Sequence, residues 1–268
     1  MTENKVKEWK LIIDKIPLEG SFNMAVDEYL LHSVERDSLT YLRFYQWEKP
    51  TISLGYSQEI NKVVNLNYCL ENDIDIVRRM TGGKLVLHDK EITYSVCSSD
   101  SKAFPPSLSD SYKKISQALI LGLGKMGIDS YLASDAPATY VKGNMPCFSY
   151  PARNEIEVDG KKIVGSAQKR LGSQFIQHGS IPIEDNEEIL ELVSSQQGEE
   201  GKVHMASLSK VLGRKVSFEW AVERLKEGFS EYFGINLLPE TFNAKEMEEI
   251  FEIQRRRYEN KDWNFFGK

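Results

Sequence analysis

Apolar positions recur every four residues at Val26, Leu30 and Val34, and Ser21 stands where an N-cap belongs, so the spacing predicts a helix from Ser21 to about Arg36. A stronger stripe, Tyr112, Ile115, Leu119, Leu123 and Met126, predicts a second helix that Gly127 stops at the C′ position. Around these the period falls to two. Strands are expected over 9–13, over 40–46, where Leu42 and Phe44 alternate with Tyr41, Arg43 and Tyr45, and over 51–54, between Pro50 and Gly55. Further strands are expected over 74–77, 85–88, 93–96 and near 175–181, with a short helix over 65–71. Residues 155–158 and 161–164 flank Asp159-Gly160, a pair that supplies the positive φ values of a type I′ hairpin turn. From Asp185 onward the pattern is mostly helical, over 187–193, 207–212, 218–233 and 243 to about 258. Strands interspersed with helices predict an α+β fold with mixed β-sheets and flanking helices, in a single domain spanning 1–268 with a helical portion at about 185–268.

Composition narrows the function classes. With 41% hydrophobic and 28% charged residues, the 268-residue chain has the balance of a folded domain rather than of a disordered one. The net charge of −6 argues against a nucleic-acid partner. Three widely spaced cysteines, Cys69, Cys97 and Cys147, make neither a disulfide framework nor a zinc site, and no apolar run approaches the ~18 residues of a membrane span. A soluble cytoplasmic protein with no metal and no membrane partner is the expectation.

The densest candidate chemistry is Arg78-Arg79-Met80-Thr81-Gly82-Gly83-Lys84, with His88 just beyond. Glycines let backbone N–H groups approach a ligand and arginines supply forked donors, so the segment reads as an anion or carbonyl cradle; it reads equally as a hairpin turn carrying solvated arginines. Cys69, in an apolar helix, and Cys97, at a strand end, read as buried small hydrophobes. Cys147 lies in an irregular segment followed by Lys161, Lys162, Lys169 and Arg170, cations that favour a thiolate. Of the neighbours Lys161 and Lys162 only one can face inward, and Gly165-Ser166-Ala167 would let a slender chain lie against the strand or simply leave packing room. His178 and Gly179 follow on the next strand, where a Cys147–His178 dyad and a structural histidine both remain open.

These segments together, Arg78 to Gly83, His88-Asp89, Thr93 to Val96, Gly160 to Gln168 and Gln177 to Ser180, with Asn23 to Asp27 and Pro50 to Gly55, resemble in order the signature of the lipoate ligase and octanoyltransferase superfamily, which shares the biotin/lipoate ligase-like catalytic fold. The ligases resemble R-R-x-[ST]-G-G-G; here Lys84 takes the third glycine's place, and Cys147-Phe148 looks like the nucleophile position of the LipM-type octanoyltransferases. The wording Ala152-Arg153-Asn154-Glu155 is nearer the ligases. The resemblance implies an acyltransferase with no cofactor, in which Cys147 takes octanoyl from acyl carrier protein and passes it to a lysine of a lipoyl domain, such as glycine cleavage H protein or an E2 subunit. Lys162 matches the family's active-site lysine. The backbone at Gly82, Gly83, Gly165, Ser166, Ala167 and Gly179 would line the acyl tunnel, with Arg78, Arg79, Thr81, Lys84, His88 and His178 around it. Arg78, Lys84, Lys142, Lys169 and Arg170 are candidates for a basic patch that meets acidic partners. An ATP-dependent lipoate or octanoate ligase, a lipoyl amidotransferase and a non-catalytic acyl-binding relative stand as alternatives; a papain-like peptidase lacks its sequence context around Cys147.

Overall fold

The computed structural model describes residues 7–37, 39–133, 155–195 and 203–267. In chain order the elements are β1 (Lys7–Ile13), α1 (Gly20–Asp37), β2 (Thr40–Tyr45), β3 (Thr51–Leu54), α2 (Ile60–Val63), α3 (Leu66–Glu71), β4 (Asp75–Arg78), β5 (Val86–His88) and β6 (Glu91–Ser98). There follow α4 (Leu108–Lys125), β7 (Tyr131–Leu132), β8 (Ile156–Val158), β9 (Lys161–Leu171), β10 (Gln174–Pro182) and α5 (Glu187–Val193). The last elements are α6 (Leu208–Leu212), α7 (Phe218–Phe233), β11 (Ile235–Pro239), α8 (Ala244–Ile253) and two π-helical turns, Gln254–Tyr258 and Asp262–Phe266.

Among the described residues the strands form an eight-stranded mixed sheet, in the order β11-β1-β2-β6-β10-β9-β8-β7, and a three-stranded one, β4-β3-β5. The expected α+β class, mixed sheets with flanking helices, is what the chain adopts. Because side chains alternate across a strand, the large sheet feeds two cores at once. Trp9, Leu11, Leu42, Phe44, Ile92, Tyr94 and Val96 pack with α4 and α7, where Phe229 sits among the aromatic rings. Ile12, Tyr41, Tyr45, Cys97 and Ile176 pack with α1 and the C-terminal helix. The alternation predicted for β2 therefore separates two buried faces, not a buried from an exposed one. A third cluster, including Ile52, Leu54, Val63, Leu87 and Leu190, joins the small sheet to α2, α3 and α5.

Several local expectations are met in detail. Gly127 follows the end of α4 at φ +87°, as expected, while the helix starts at Leu108, where Ser107 caps it by accepting from the Asp110 N–H at 3.3 Å. The hairpin turn holds Asp159 at φ +50° and Gly160 at +73°, as a type I′ turn requires. Others need correction. The first helix begins at Gly20, so Ser21 lies inside its first turn rather than capping it. The C-terminal portion is not wholly helical, since β11 returns to pair in parallel with β1.

Candidate active site

Where the two sheets meet, beside Met24 of α1, there is a narrow cavity. Arg79, Gly83, His88, Gly165, Ser166, Ala167, His178 and Gly179 are brought together in its wall, joined by Met24, Tyr45, Trp47, Ser53, Val86, Thr93 and Ser180. Antiparallel pairing of β9 with β10 sets Ala167 opposite His178, Ser166 opposite Gly179 and Gly165 opposite Ser180. A Cβ at Gly179 would stand 2.6 Å from the Ser166 Oγ and 2.7 Å from the Gly165 carbonyl, so the strands can lie this close only with glycine there. The glycine loop closes the opposite wall. Gly83 takes φ +91°, and its carbonyl lies 2.0 Å from where a Cβ of Gly55 would be, which ties the loop to the end of β3.

The wall's polar groups bond to one another. His88 Nδ1 meets Glu91 Oε1 at 2.8 Å, and His88 Nε2 meets Ser53 Oγ at 2.7 Å, while its ring stacks on Trp47 with centroids 4.0 Å apart. Glu91 also accepts from the Thr93 and Ser180 hydroxyls. Arg79 donates to Ser53 Oγ at 3.0 Å and to the Ser53, Gly82 and Lys84 carbonyls at 2.7, 2.8 and 2.7 Å, which stitches the glycine loop to β3. His178 bridges Asp27 Oδ2, 2.9 Å from Nδ1, and Thr81 Oγ1, 2.7 Å from Nε2. Burial pulls the His178 pKa below its usual 6.5, overriding the carboxylate's pull the other way. Burial would raise the Asp27 pKa, but the hydrogen bond from His178 and the charge of Arg43 outweigh it and hold the carboxyl below its usual value. The pair is thus a carboxylate and a neutral imidazole. With its polar side chains engaged among themselves, the wall offers carbon edges and glycine backbone, a surface suited to an apolar chain.

Arg78 departs from the expectation. It is buried, outside the cavity wall, and no surface charge for a basic patch: its guanidinium donates to the Gly55, Tyr56 and Gln58 carbonyls at 3.0, 3.0 and 2.8 Å and to those of Trp263 and Phe265 at 3.0 and 3.3 Å. The carbonyl cradle exists, but the carbonyls are the protein's own. Neither arginine is solvated, and Thr81, Gly82 and Lys84 also lie outside the wall, Thr81 behind it as His178's partner. Lys161 is exposed, whereas Lys162 is wholly buried, its ammonium 2.6 Å from Glu155 Oε1, three residues before Gly165 on β9. Cys147 and Lys142 lie outside the described residues. Cys69 and Cys97 are buried, and burial pushes the Cys69 thiol up to about 11 and the Cys97 thiol well above its usual value, so neither is a poised thiolate. His178 has both ring nitrogens bonded, which favours the structural reading of that residue over a dyad with Cys147.

Tyr45, Trp47 and Glu91 are parts of the site that sequence reasoning did not single out, and Asp27 entered only as the end of the Asn23–Asp27 motif, with no role of its own. A signal existed for Asp27: with Asn23 it falls on the same stripe as Leu30 and Val34, a charged residue on the apolar side of a helix. No helix among the described residues is long and apolar enough to cross a membrane.

Comparison with known proteins agrees with this architecture. Residues 19–230 match the lipoyl protein ligase A/B catalytic domain. Octanoyltransferase LipM of Geobacillus kaustophilus is 37% identical, with 97% of this chain and 99% of the relative covered, and that of Bacillus anthracis is 35% identical over 91% and 94%. Among solved structures, a lipoate-protein ligase A bound with ATP superposes with a TM-score of 0.83 at 23% identity, over 96% of this chain and 98% of the other. The T. acidophilum protein Ta0514, a lipoate protein ligase solved with bound lipoic acid, gives 0.81 at 23%, over 96% and 99%. The ligases share the fold, while the end-to-end sequence match is to acyltransferases. The chain belongs to the lipoyl protein ligase A/B catalytic domain family, on its octanoyltransferase branch.

Proposed function

We propose that the octanoyl transfer of lipoate biosynthesis runs here through an acyl-enzyme on Cys147, with the octanoyl chain held in the cavity between Gly83 and the strand Gly165-Ser166-Ala167. The Cys147 thiolate attacks the thioester carbonyl of octanoyl-acyl carrier protein, and the carrier's thiol leaves. The amine of a lysine on a lipoyl domain, glycine cleavage H protein or an E2 domain, then attacks the enzyme thioester, loses a proton and releases the thiolate as the amide forms. Thioester to amide is downhill, so the reaction needs no nucleotide. Lys162 stabilises the thiolate and donates to the acyl carbonyl, and Lys84 and Lys169 offer positive charge to the two acidic partners; Arg170, expected beside them, turns its guanidinium to the Pro105 carbonyl and Ser111 Oγ instead. The reading places the enzyme in the cytoplasm, where a thiolate nucleophile stays reduced.

The observation that carries the reading is the cavity itself, whose walls satisfy their own polar groups and whose strand β9 carries the buried Lys162, outside the wall but three residues before Gly165. Each buried methylene of the chain contributes roughly 0.8 kcal/mol in such a slot. Incubation with octanoyl-acyl carrier protein and no acceptor should add one octanoyl mass on a hydroxylamine-labile bond at Cys147, retained in Cys69→Ala and Cys97→Ala and lost in Cys147→Ala. If Cys147→Ala still modifies the acceptor at a comparable rate, or if free octanoate plus ATP serves as donor, the covalent route is wrong.

A further inference from the structure

Asp27 lies on α1, against the large sheet, at the centre of a buried chain of polar contacts. Its Oδ1 accepts from Arg43 Nη1 at 3.1 Å, and its Oδ2 accepts from the Tyr45 hydroxyl at 3.0 Å and from His178 Nδ1 at 2.9 Å. A carboxylate can only accept, so the neutral ring carries its proton on Nδ1. Nε2 is then a lone pair, and the Thr81 hydroxyl 2.7 Å away must donate to it. The Thr81 carbonyl in turn accepts from the Tyr56 N–H at 2.8 Å. Thr81 is therefore held by side chain and by backbone just before Gly82 and Gly83, two residues with no side chain to hold them. Downstream, Arg79 grips the Gly82 and Lys84 carbonyls.

We infer that Asp27 is a positioning residue for acyl transfer: by fixing the tautomer of His178 it makes Thr81 a donor, and so anchors the glycine loop that walls the acyl cavity. The inference rests on the reading of that cavity as the acyl site. Its physical need is entropic, since a glycine pair has more backbone freedom to lose than any other dipeptide, and the loop keeps one shape only if its ends are tied. An Asp27→Asn substitution is the informative change. Arg43 has only donors to offer, so the amide oxygen turns to it and the amide nitrogen faces His178, whose proton then moves to Nε2. The Thr81 hydroxyl becomes an acceptor, and its own proton is left without the partner it had.

The test uses three readouts on the full chain. Nitrogen-15 NMR of the ring nitrogens of the four histidines should show one ring, absent from a His178→Gln spectrum, as the Nδ1–H tautomer, changing to Nε2–H in Asp27→Asn. Amide hydrogen exchange at Tyr56, whose N–H bonds the Thr81 carbonyl, should speed up about tenfold in Asp27→Asn and in Thr81→Val, and return to the native rate in Thr81→Ser. Octanoyl transfer should lose kcat/KM in step with that exchange, mainly through a raised KM for the acyl donor. A His178 that keeps Nδ1–H in Asp27→Asn, or exchange at Tyr56 as slow in Thr81→Val as in the native protein, overturns the inference. Should Asp27→Asn fail to fold, Thr81→Val and Thr81→Ser decide alone. Failure of octanoyl transfer in the native protein would strike the acyl-site reading instead, and the tautomer and exchange results would stand apart from it.

Discussion

The two faces of the eight-stranded sheet are made from the same strands and filled in opposite ways. Against α4 and α7, Leu42, Phe44, Tyr94 and Phe229 make a core of hydrocarbon and rings. Against α1, the alternate residues of β2 are Tyr41, Arg43 and Tyr45, and Arg43 lies buried between Asp14, 2.7 Å from its Nε, and Asp27. Burying such charges costs desolvation that their mutual attraction roughly offsets, so the second face adds little stability over an apolar filling. Its position explains it better: Tyr45, His178 and the residues around them are the back wall of the cavity. One face holds the fold and the other shapes the site.

Substitutions on the two faces should separate stability from activity. The largest effect is expected from Phe229→Ala, which removes a fully buried ring and should cost about 3–5 kcal/mol in urea unfolding while the folded fraction keeps its kcat/KM; a loss of kcat/KM at unchanged stability would break the division. Lys162→Ala should lower octanoyl transfer by roughly 10²–10³-fold, in keeping with the loss of one preorganised donor. Lys161→Ala, one residue away and exposed, should stay within about twofold. Equal rates for the two variants would remove Lys162 from the reaction. Ser53→Ala takes away the hydroxyl shared by His88 and Arg79; it should destabilise by about 1–3 kcal/mol, the cost of buried groups left without a partner, and raise KM for the acyl donor more than it lowers kcat. A stability loss with KM unchanged would assign Ser53 to the fold alone.

The smallest effect is a slope with pH. His178 is held below its usual 6.5 by burial, so the unfolded chain binds a proton that the folded one refuses, and stability falls as pH drops below about 6.5. Asp27, held below its usual 3.8, keeps its contribution at pH values above that and loses it only in stronger acid. Urea midpoints at pH 7, 6 and 5 should decline in the native protein and flatten in His178→Gln; parallel slopes would mean that another group carries the dependence.

How far the chain announces all this depends on the range of the interaction. The helices α1, α4 and α7 and the Asp159-Gly160 hairpin were legible because their signals, a four-residue stripe or a turn dipeptide, lie within a few residues of each other. β11 was not, because its five residues become a strand only by pairing with β1 from the other end of the chain. The alternation of β2 was visible but its meaning was hidden, since Arg43 looks like an outward residue until Asp27 and Asp14 are brought to it. The cavity residues were named from the family resemblance and from small-residue runs. Arg78 was misjudged because two of its carbonyl partners belong to Trp263 and Phe265, which no local pattern connects to it.

That last contact has a consequence for the order in which the protein is made. Residue 78 leaves the ribosome early, whereas Asn264, whose side chain accepts from the Arg78 N–H at 2.9 Å, and Trp263, whose indole donates to the Arg78 carbonyl at 2.8 Å, are translated almost 200 residues later. A nascent chain can fold its sheets in sequence as they emerge. It cannot brace the segment that leads into the glycine loop until the Trp263 turn has been synthesised, so the wall that Gly83 forms is set only after the sheets it closes.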